Sequence, residues 1–378
     1  MNTTFVFDRP VSGKNFVGRS KEISMLCNFL SCGESFAIYG EPGCGKDSLL
    51  LEALTRAKMN GVQFRIADIS FMNARTTGDF VLRLVSGIIK AVSDSPSEYE
   101  NIVRGYLMDT GFVFDPERYE ACGDVVNSKW ELTEADIRAA FGLAPSLAKW
   151  KGERIVVVIR QFQNILFSRD EYMLLREMEK VVNVSDRSCP FVFIGSHFNA
   201  MKEIFDVRKL FWHSVVRVIP RQMDFSEITE FISRGFQMQG KVLEKELILL
   251  ATQILRGNMR YMAQLFMIVD SMSRGFISKN IVEEAVWSLV SIHQPRFFSM
   301  VCSLTDFQIS LLKAVIDGQT RFSSSAVIEK YALNSSANIR RIKDALVKKE
   351  VLWFDEKDDP HIQDPLFELW LRKEYFAG

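Results

Sequence analysis

The residues whose types and spacing most plainly specify chemistry are Gly40, Glu41, Pro42, Gly43, Cys44, Gly45, Lys46 and Asp47. Glycines at the first, fourth and sixth places let successive backbone N–H groups turn inward on an anion. A following helix N-terminus adds a favourable dipole, and Lys46 supplies a point charge. This is the Walker A spacing of a phosphate-binding loop. The eighth place departs from it. A Ser or Thr hydroxyl ordinarily ligates magnesium there, and here the residue is Asp47, with Ser48 one position late and turned about 100° around the helix. The Asp47 carboxylate has two opposed readings, a ligand for magnesium or a repulsion on the β-phosphate when the metal is absent. The residues alone leave both open.

Such a loop needs a buried strand before it and a helix after it. Ser35 to Tyr39 is a short apolar run, and Ser48 to Lys58 resumes helical spacing. Upstream, Phe16, Val17, Ile23, Leu26 and Leu30 have helical spacing around a Gly18-Arg19-Ser20 turn, with Ser20 placed to cap. Val62 to Ser70 predicts a second strand. Ile155 to Ile159 is wholly β-branched, which suits a central parallel strand buried on both faces, and Phe191 to Gly195 is similar. Strands alternating with helices predict a doubly wound α/β P-loop sheet with ligands at the carboxyl ends of its strands. Asp94 to Glu153, broken by Ser95-Pro96, Gly111, Pro116 and Gly123, reads as helical crossover and insertion.

Beyond Pro220 the β signals fade, and Phe225 to Gly235, Glu244 to Leu255, Arg260 to Met272 and Asn280 to Leu289 predict a helical lid. From about Ser303, Leu304 to Asp317, two short helical patterns and a β-prone Val351 to Phe354 predict a winged helix-turn-helix. The expected division is 1–220 for the nucleotide-binding core, 221–302 for the lid and 303–378 for the winged helix.

Length and composition set the frame. At 378 residues the chain exceeds a prior of roughly 150 per domain. The 47 basic and 47 acidic residues cancel, so the chain has no broad electrostatic pull on nucleic acid or anionic membrane. The six cysteines are scattered without metal-ligand spacing and are expected as reduced buried thiols. Met1 to Pro10 lacks a signal-peptide pattern, and no apolar run approaches the ~18 residues needed to span a bilayer. A cytoplasmic protein is expected. His197, His213, His293 and His361 are too dispersed for a metal cluster, and no Ser, His and Asp arrangement with a nucleophile turn is visible.

The ordered set of motifs resembles the archaeal-type ATPases of the AAA+ and STAND assemblage. It comprises Phe16-Val17-Gly18-Arg19 with Glu22, Gly40 to Lys46, Ile155 to Ile159 with Phe162-Gln163-Asn164, Gly195-Ser196, Gly257-Asn258-Met259-Arg260, and Asp364-Pro365-Leu366-Phe367 with Trp370. The resemblance implies ATP or ADP as ligand, Phe16 and Val17 near the adenine, Arg260 reaching the phosphates, and Ser196 as a polar sensor. Arg217 or Arg221 is a candidate arginine finger for a neighbouring subunit. The chain departs from the family after Ile159, where Arg160 and Gln161 replace an Asp and a Glu. An arginine ligates no cation, and a neutral amide takes no proton at neutral pH. Arg160 is placed to meet a phosphate oxygen directly, and Gln161 to orient a water. Asp68 is the nearest substitute carboxylate.

In the winged helix, Ser336 to Glu350 would bury Ile339, Ile342 and Leu346 and present Arg340, Arg341, Lys343 and Lys348 as a face for DNA phosphates. Against that, Leu304 to Gly378 holds eleven basic and twelve acidic residues, and the expected wing carries Asp355, Glu356, Asp358 and Asp359. A wing so acidic is repelled by DNA, which favours packing or protein interaction. The leading expectation is a nucleotide-dependent switch or scaffold with weak or no hydrolysis, acting with a protein partner or by self-association. The alternatives are an active ATPase with atypical metal handling and a DNA-binding regulator.

Overall fold

The computed structural model describes residues 5–377, which gather into two compact units. One holds Ser20–Gly40 and Leu49–Pro220. The other holds the residues up to Arg19, the loop Glu41–Ser48, and everything from Arg221. In chain order the strands are β1 (Ser35–Tyr39), β2 (Arg65–Ser70), β3 (Phe112–Phe114), β4 (Val126–Ser128), β5 (Ile155–Arg160), β6 (Phe191–Gly195), β7 (Val215–Val218), β8 (Val242–Leu243), β9 (Phe276–Ile277), β10 (Leu352–Phe354) and β11 (Pro360–Ile362).

In the first unit, five strands form one sheet in the order β2-β5-β6-β1-β7, every pair parallel. The β-branched run of β5 lies between β2 and β6, with Val157 opposite Ala67 on one side and Phe191 on the other. Burial on both faces explains why this strand shows no polar alternation. The chain leaves β1 for β2 at the far edge and comes back beside β1 only with β6 and β7. The carboxyl ends of β1 and β6 therefore sit at the point where strand order reverses, with Tyr39 opposite Gly195.

Phe193 of β6 packs in an aromatic group with Phe162, Phe191, Phe205 and Phe211. The Asp94 to Glu153 stretch has helices Pro96–Tyr106, Pro116–Cys122 and Glu134–Lys151, and also an antiparallel pair, β3 with β4, which the helical reading did not anticipate. Three-residue strands are too short for a period of two to register. β7 was also unforeseen, since as an edge strand it carries Arg217 within an otherwise apolar run.

In the second unit, helices Phe225–Gln237, Lys245–Ile254, Met259–Met272 and Lys279–Cys302 pack with a two-residue parallel pair, β8 and β9. The last helix, expected to end near Leu289, runs on through Pro295 to Cys302. Helices Asp306–Ile316, Ser325–Lys330 and Ser336–Lys348 then lead into the β10–β11 hairpin and the short helix Pro365–Trp370. All six cysteines are free thiols, but Cys32, Cys122 and Cys302 are exposed where burial was expected. Among the described residues, no helix is long and apolar enough to cross a membrane.

Replacing Phe193 with Ala removes a fully buried ring from the sheet core. It is expected to cost about 3–5 kcal/mol of stability, read as a lower urea midpoint in far-UV circular dichroism.

Candidate functional site

The loop from Gly40 to Asp47 follows directly on β1, and its conformation is set by its carbonyls. Pro42 O accepts from Asn258 Nδ2 at 2.9 Å, Gly43 O from the Arg260 amide at 3.3 Å, and Cys44 O from Arg19 Nη2 at 2.6 Å. In a trans peptide the carbonyl and the next N–H point in opposite directions. Fixing these three carbonyls therefore turns the amides of Gly43, Cys44 and Gly45 the other way. Cys44 N–H closes a turn on Glu41 O at 3.3 Å. The same Glu41 O accepts from Lys46 Nζ at 2.7 Å, which folds the buried lysine back over its own loop. Gly43 and Gly45 have φ of +81° and +87°, conformations that only glycine adopts without strain. At Gly43 a Cβ would lie 2.6 Å from Asn258 Oδ1 and 3.0 Å from Arg260 Cβ.

Helix Lys46–Met59 begins at the end of the loop, with Asp47 in its first turn. The Ser48 hydroxyl accepts the Val11 amide at 3.1 Å, which places it against the N-terminal segment. Phe16 and Val17 are half-buried, and Phe16 N–H bonds Gly13 O at 3.0 Å. Arg260 is exposed while its backbone holds the loop. Burial pushes the Glu41 carboxyl above the usual carboxylate range; Asp364 pushes the same way, while Arg256, Lys46 and His361 pull against them. Arg256 also binds Ile362 O at 2.8 Å and Glu368 at 2.6 Å. Tyr261 donates to Asp364 at 2.8 Å, and Arg296 donates to both Tyr261 Oη and Asp364. The first turn of helix Met259–Met272 thus meets the loop through Asn258 and Arg260 and the winged-helix tail through Tyr261.

At the strand ends of the other unit, Arg160 Nε and Nη2 form a two-pronged pair with Asp68 at 2.7 and 2.9 Å. The two residues singled out separately in the sequence are thus each other's partners. Gln161 lies in the left-handed region at φ +54°, and its Oε1 accepts from Gln163 Nε2 at 2.7 Å. Ser196, partly exposed, follows the last residue of β6. Arg217 pairs with Asp206 at 3.2 Å and lies over the Trp212 ring at 4.2 Å, so its guanidinium is engaged within its own chain.

The Gly43 and Gly45 amides turned away from the gripped carbonyls, a lysine and a helix start are a combination that suits an anion. Asp47 stands as the one carboxylate in the first turn of its helix, and in the other unit Asp68 is held by Arg160. The roles of Asn258, Arg19 and Glu41 in shaping the loop escaped the sequence reading. The one local signal was Asn258 immediately before a helical pattern, where it caps.

In the winged helix, Arg340, Arg341 and Lys348 are exposed as expected. Lys343 instead lies beneath the wing, paired with Asp358 at 2.9 Å and over the Phe354 ring at 4.1 Å.

A sequence family described as a probable winged helix domain matches residues 295–373. Comparison with curated protein sequences gives no significant match. Among solved structures, a Walker-type ATPase of Pyrococcus abyssi matches 98% of this chain and 99% of its own, with a TM-score of 0.68 at 15% identity. The ORC2 protein of Aeropyrum pernix, in ADPNP-ADP complexes, matches 100% of this chain and 99% of its own, with a TM-score of 0.61 at 14% identity. The ORC1 protein of the same organism, in complex with DNA, matches 99% and 96%, with a TM-score of 0.51 at 14% identity. At such identities the likeness is one of fold.

Because its folded-state pKa is raised, Glu41 contributes stability that is present below about pH 4.3 and lost as pH rises through the elevated value. In urea titrations from pH 4 to 8, the midpoint difference between Glu41→Gln and the parent should move in the variant's favour as pH rises.

The chain has the fold of these Walker-type ATPase and ORC structures, a five-stranded parallel sheet with helices, and residues 295–373 match a probable winged helix domain.

Proposed function

We propose that this protein is a nucleotide-responsive switch or scaffold that binds ATP or ADP and hydrolyses it slowly or not at all. The observation that carries this reading is the loop from Gly40 to Lys46, whose three fixed carbonyls leave its amides facing away from their holders, with Lys46 folded over it. Phe16 and Val17 lie beside the adenine, Gly43, Cys44, Gly45 and Lys46 hold the phosphates with Ser48 behind them, and Arg260 reaches the terminal phosphate. Ser196, which follows β6, has the polar-sensor role that the family resemblance implies. Slow hydrolysis follows from Arg160 and Gln161, because the guanidinium is bound to Asp68 and a neutral amide is a poor base. With Asp47 as the one carboxylate at the helix start, binding depends weakly on Mg2+.

The ligand's effect passes along helix Met259–Met272 to the winged helix through Tyr261 and Asp364, which adjusts how the tail meets a protein partner or a second copy. A cytoplasmic setting keeps the thiols reduced. A second reading, duplex DNA binding, draws on exposed Arg340, Arg341 and Lys348. Lys343, paired with Asp358, weakens that face.

Calorimetric titration of ATP and ADP into nucleotide-free protein tests the function. Binding should weaken at least about tenfold in Lys46→Ala and change little when EDTA replaces magnesium. Equal binding by Lys46→Ala would reject the loop as the site. Lys46-dependent turnover would favour an active ATPase.

For the tail, replacing Arg340, Arg341 and Lys348 together with Ala should leave fluorescence anisotropy of labelled duplex unchanged. A loss of salt-dependent binding in that variant would establish the DNA reading instead.

A further inference from the structure

We infer that Asn258 is a positioning residue for the nucleotide, one that aims the loop amides by gripping the Pro42 carbonyl. The inference rests on the nucleotide-binding reading above and assigns part of that affinity to a side chain that need not touch the ligand. Asn258 is 6% exposed and uses both ends of its amide. Oδ1 accepts the Tyr261 N–H at 3.3 Å, capping helix Met259–Met272, and Nδ2 donates to Pro42 O at 2.9 Å. The two partners fix the orientation of the group, since a flipped amide would set acceptor against acceptor and donor against donor.

Its grip on Pro42 O determines the direction of the Gly43 N–H, which shares that peptide plane. The Arg260 amide does the same for the next plane through Gly43 O at 3.3 Å. Contact along this edge is close enough that residue 43 has no room for a side chain. A glycine loop left to itself samples many conformations, and holding it in the anion-binding one before the ligand arrives removes an ordering cost from binding. Asn suits this position better than the commoner caps. Asp and Ser also accept a helix N–H, but an ionised Asp cannot donate, and Ser is one bond too short to cap and grip together.

The test separates capping from positioning. Asn258→Asp and Asn258→Ser both keep a capping oxygen, so a purely structural role predicts melting temperatures and ADP affinities near those of the parent in both. Positioning predicts ADP affinity, measured by calorimetry in EDTA at pH 8, about tenfold weaker in Asn258→Ser and weaker still in Asn258→Asp, where a carboxylate faces the Pro42 carbonyl. Relative to the parent at each pH, the Asp penalty should shrink at pH 5, since burial and the facing carbonyl favour the protonated, donating acid, while the Ser penalty stays constant.

Parent-like affinity in both variants, or an Asp penalty no larger than that of Ser, would overturn the inference while the parent still binds in a Lys46-dependent way. Absence of ADP binding by the parent would overturn this inference and the proposed function together. Should Asn258→Asp fail to fold, the affinity of Asn258→Ser at an unchanged melting temperature decides the matter.

Discussion

Glycines at 40, 43 and 45 allow a loop to wrap an anion but give it no reason to stay wrapped, because glycine has the largest conformational freedom to lose. The constraint comes from outside the loop. Arg19, Asn258 and the Arg260 amide take three successive carbonyls, and each of those holders is itself fixed. Arg19 sits in the left-handed region at φ +57° directly after Gly18 at +62°, a turn tight enough to bring its buried guanidinium onto Cys44 O. Asn258 is fixed by the helix it caps. The N-terminal segment and the first turn of helix Met259–Met272 therefore act as two jaws on one short loop. The segment adds a fourth hold where Val11 meets the Ser48 hydroxyl.

Charge at the strand ends follows a different logic. A family that places two carboxylates after the central strand has built a magnesium shell and a base. This chain places a guanidinium there and neutralises it with Asp68 from the neighbouring strand, in a two-pronged geometry that register permits because Asp68 and Arg160 end adjacent parallel strands. The pair is partly exposed, so its value lies more in geometry than in stability. It fixes Arg160 in direction. Beside it, Gln161 is bent into a left-handed conformation and tied to Gln163, so the strand end is ordered without being acidic.

Much of this was legible in the sequence. The strands Ser35–Tyr39 and Phe191–Gly195 have the predicted limits, because a fully buried parallel strand is a continuous apolar run bounded by turn residues. The winged helix showed through helix spacing. Two kinds of feature did not show. Strands of two or three residues, such as β3, β4, β8 and β9, carry too few positions for periodicity, and the edge strand β7 mixes Arg217 with valines. Partnerships across long sequence separations left no trace either. Nothing local in Pro42 and Asn258, in Asp68 and Arg160, or in Lys343 and Asp358 announces that these residues meet. Their residue types were readable, and their directions were fixed only by the fold.

The helix Lys279–Cys302, 24 residues or about 36 Å long, serves two neighbourhoods at once. Its first half sets Val282, Ala285 and Leu289 into the same apolar core as helices Lys245–Ile254 and Met259–Met272. Its second half lays Phe297 against Phe367 and Trp370 of the tail, with ring centroids 5.5 and 5.7 Å apart. The winged helix therefore has no wall of its own on that side. A fragment beginning at Ser303 would take Phe297 and Phe298 away from Trp370 and leave it Phe367 and Tyr375, so a cut that keeps the second half of this helix preserves more of the tail's packing. Excision, swapping or fusion of the tail thus has its natural cut inside a helix, one whose first half shares a core with the helix that grips the loop after β1.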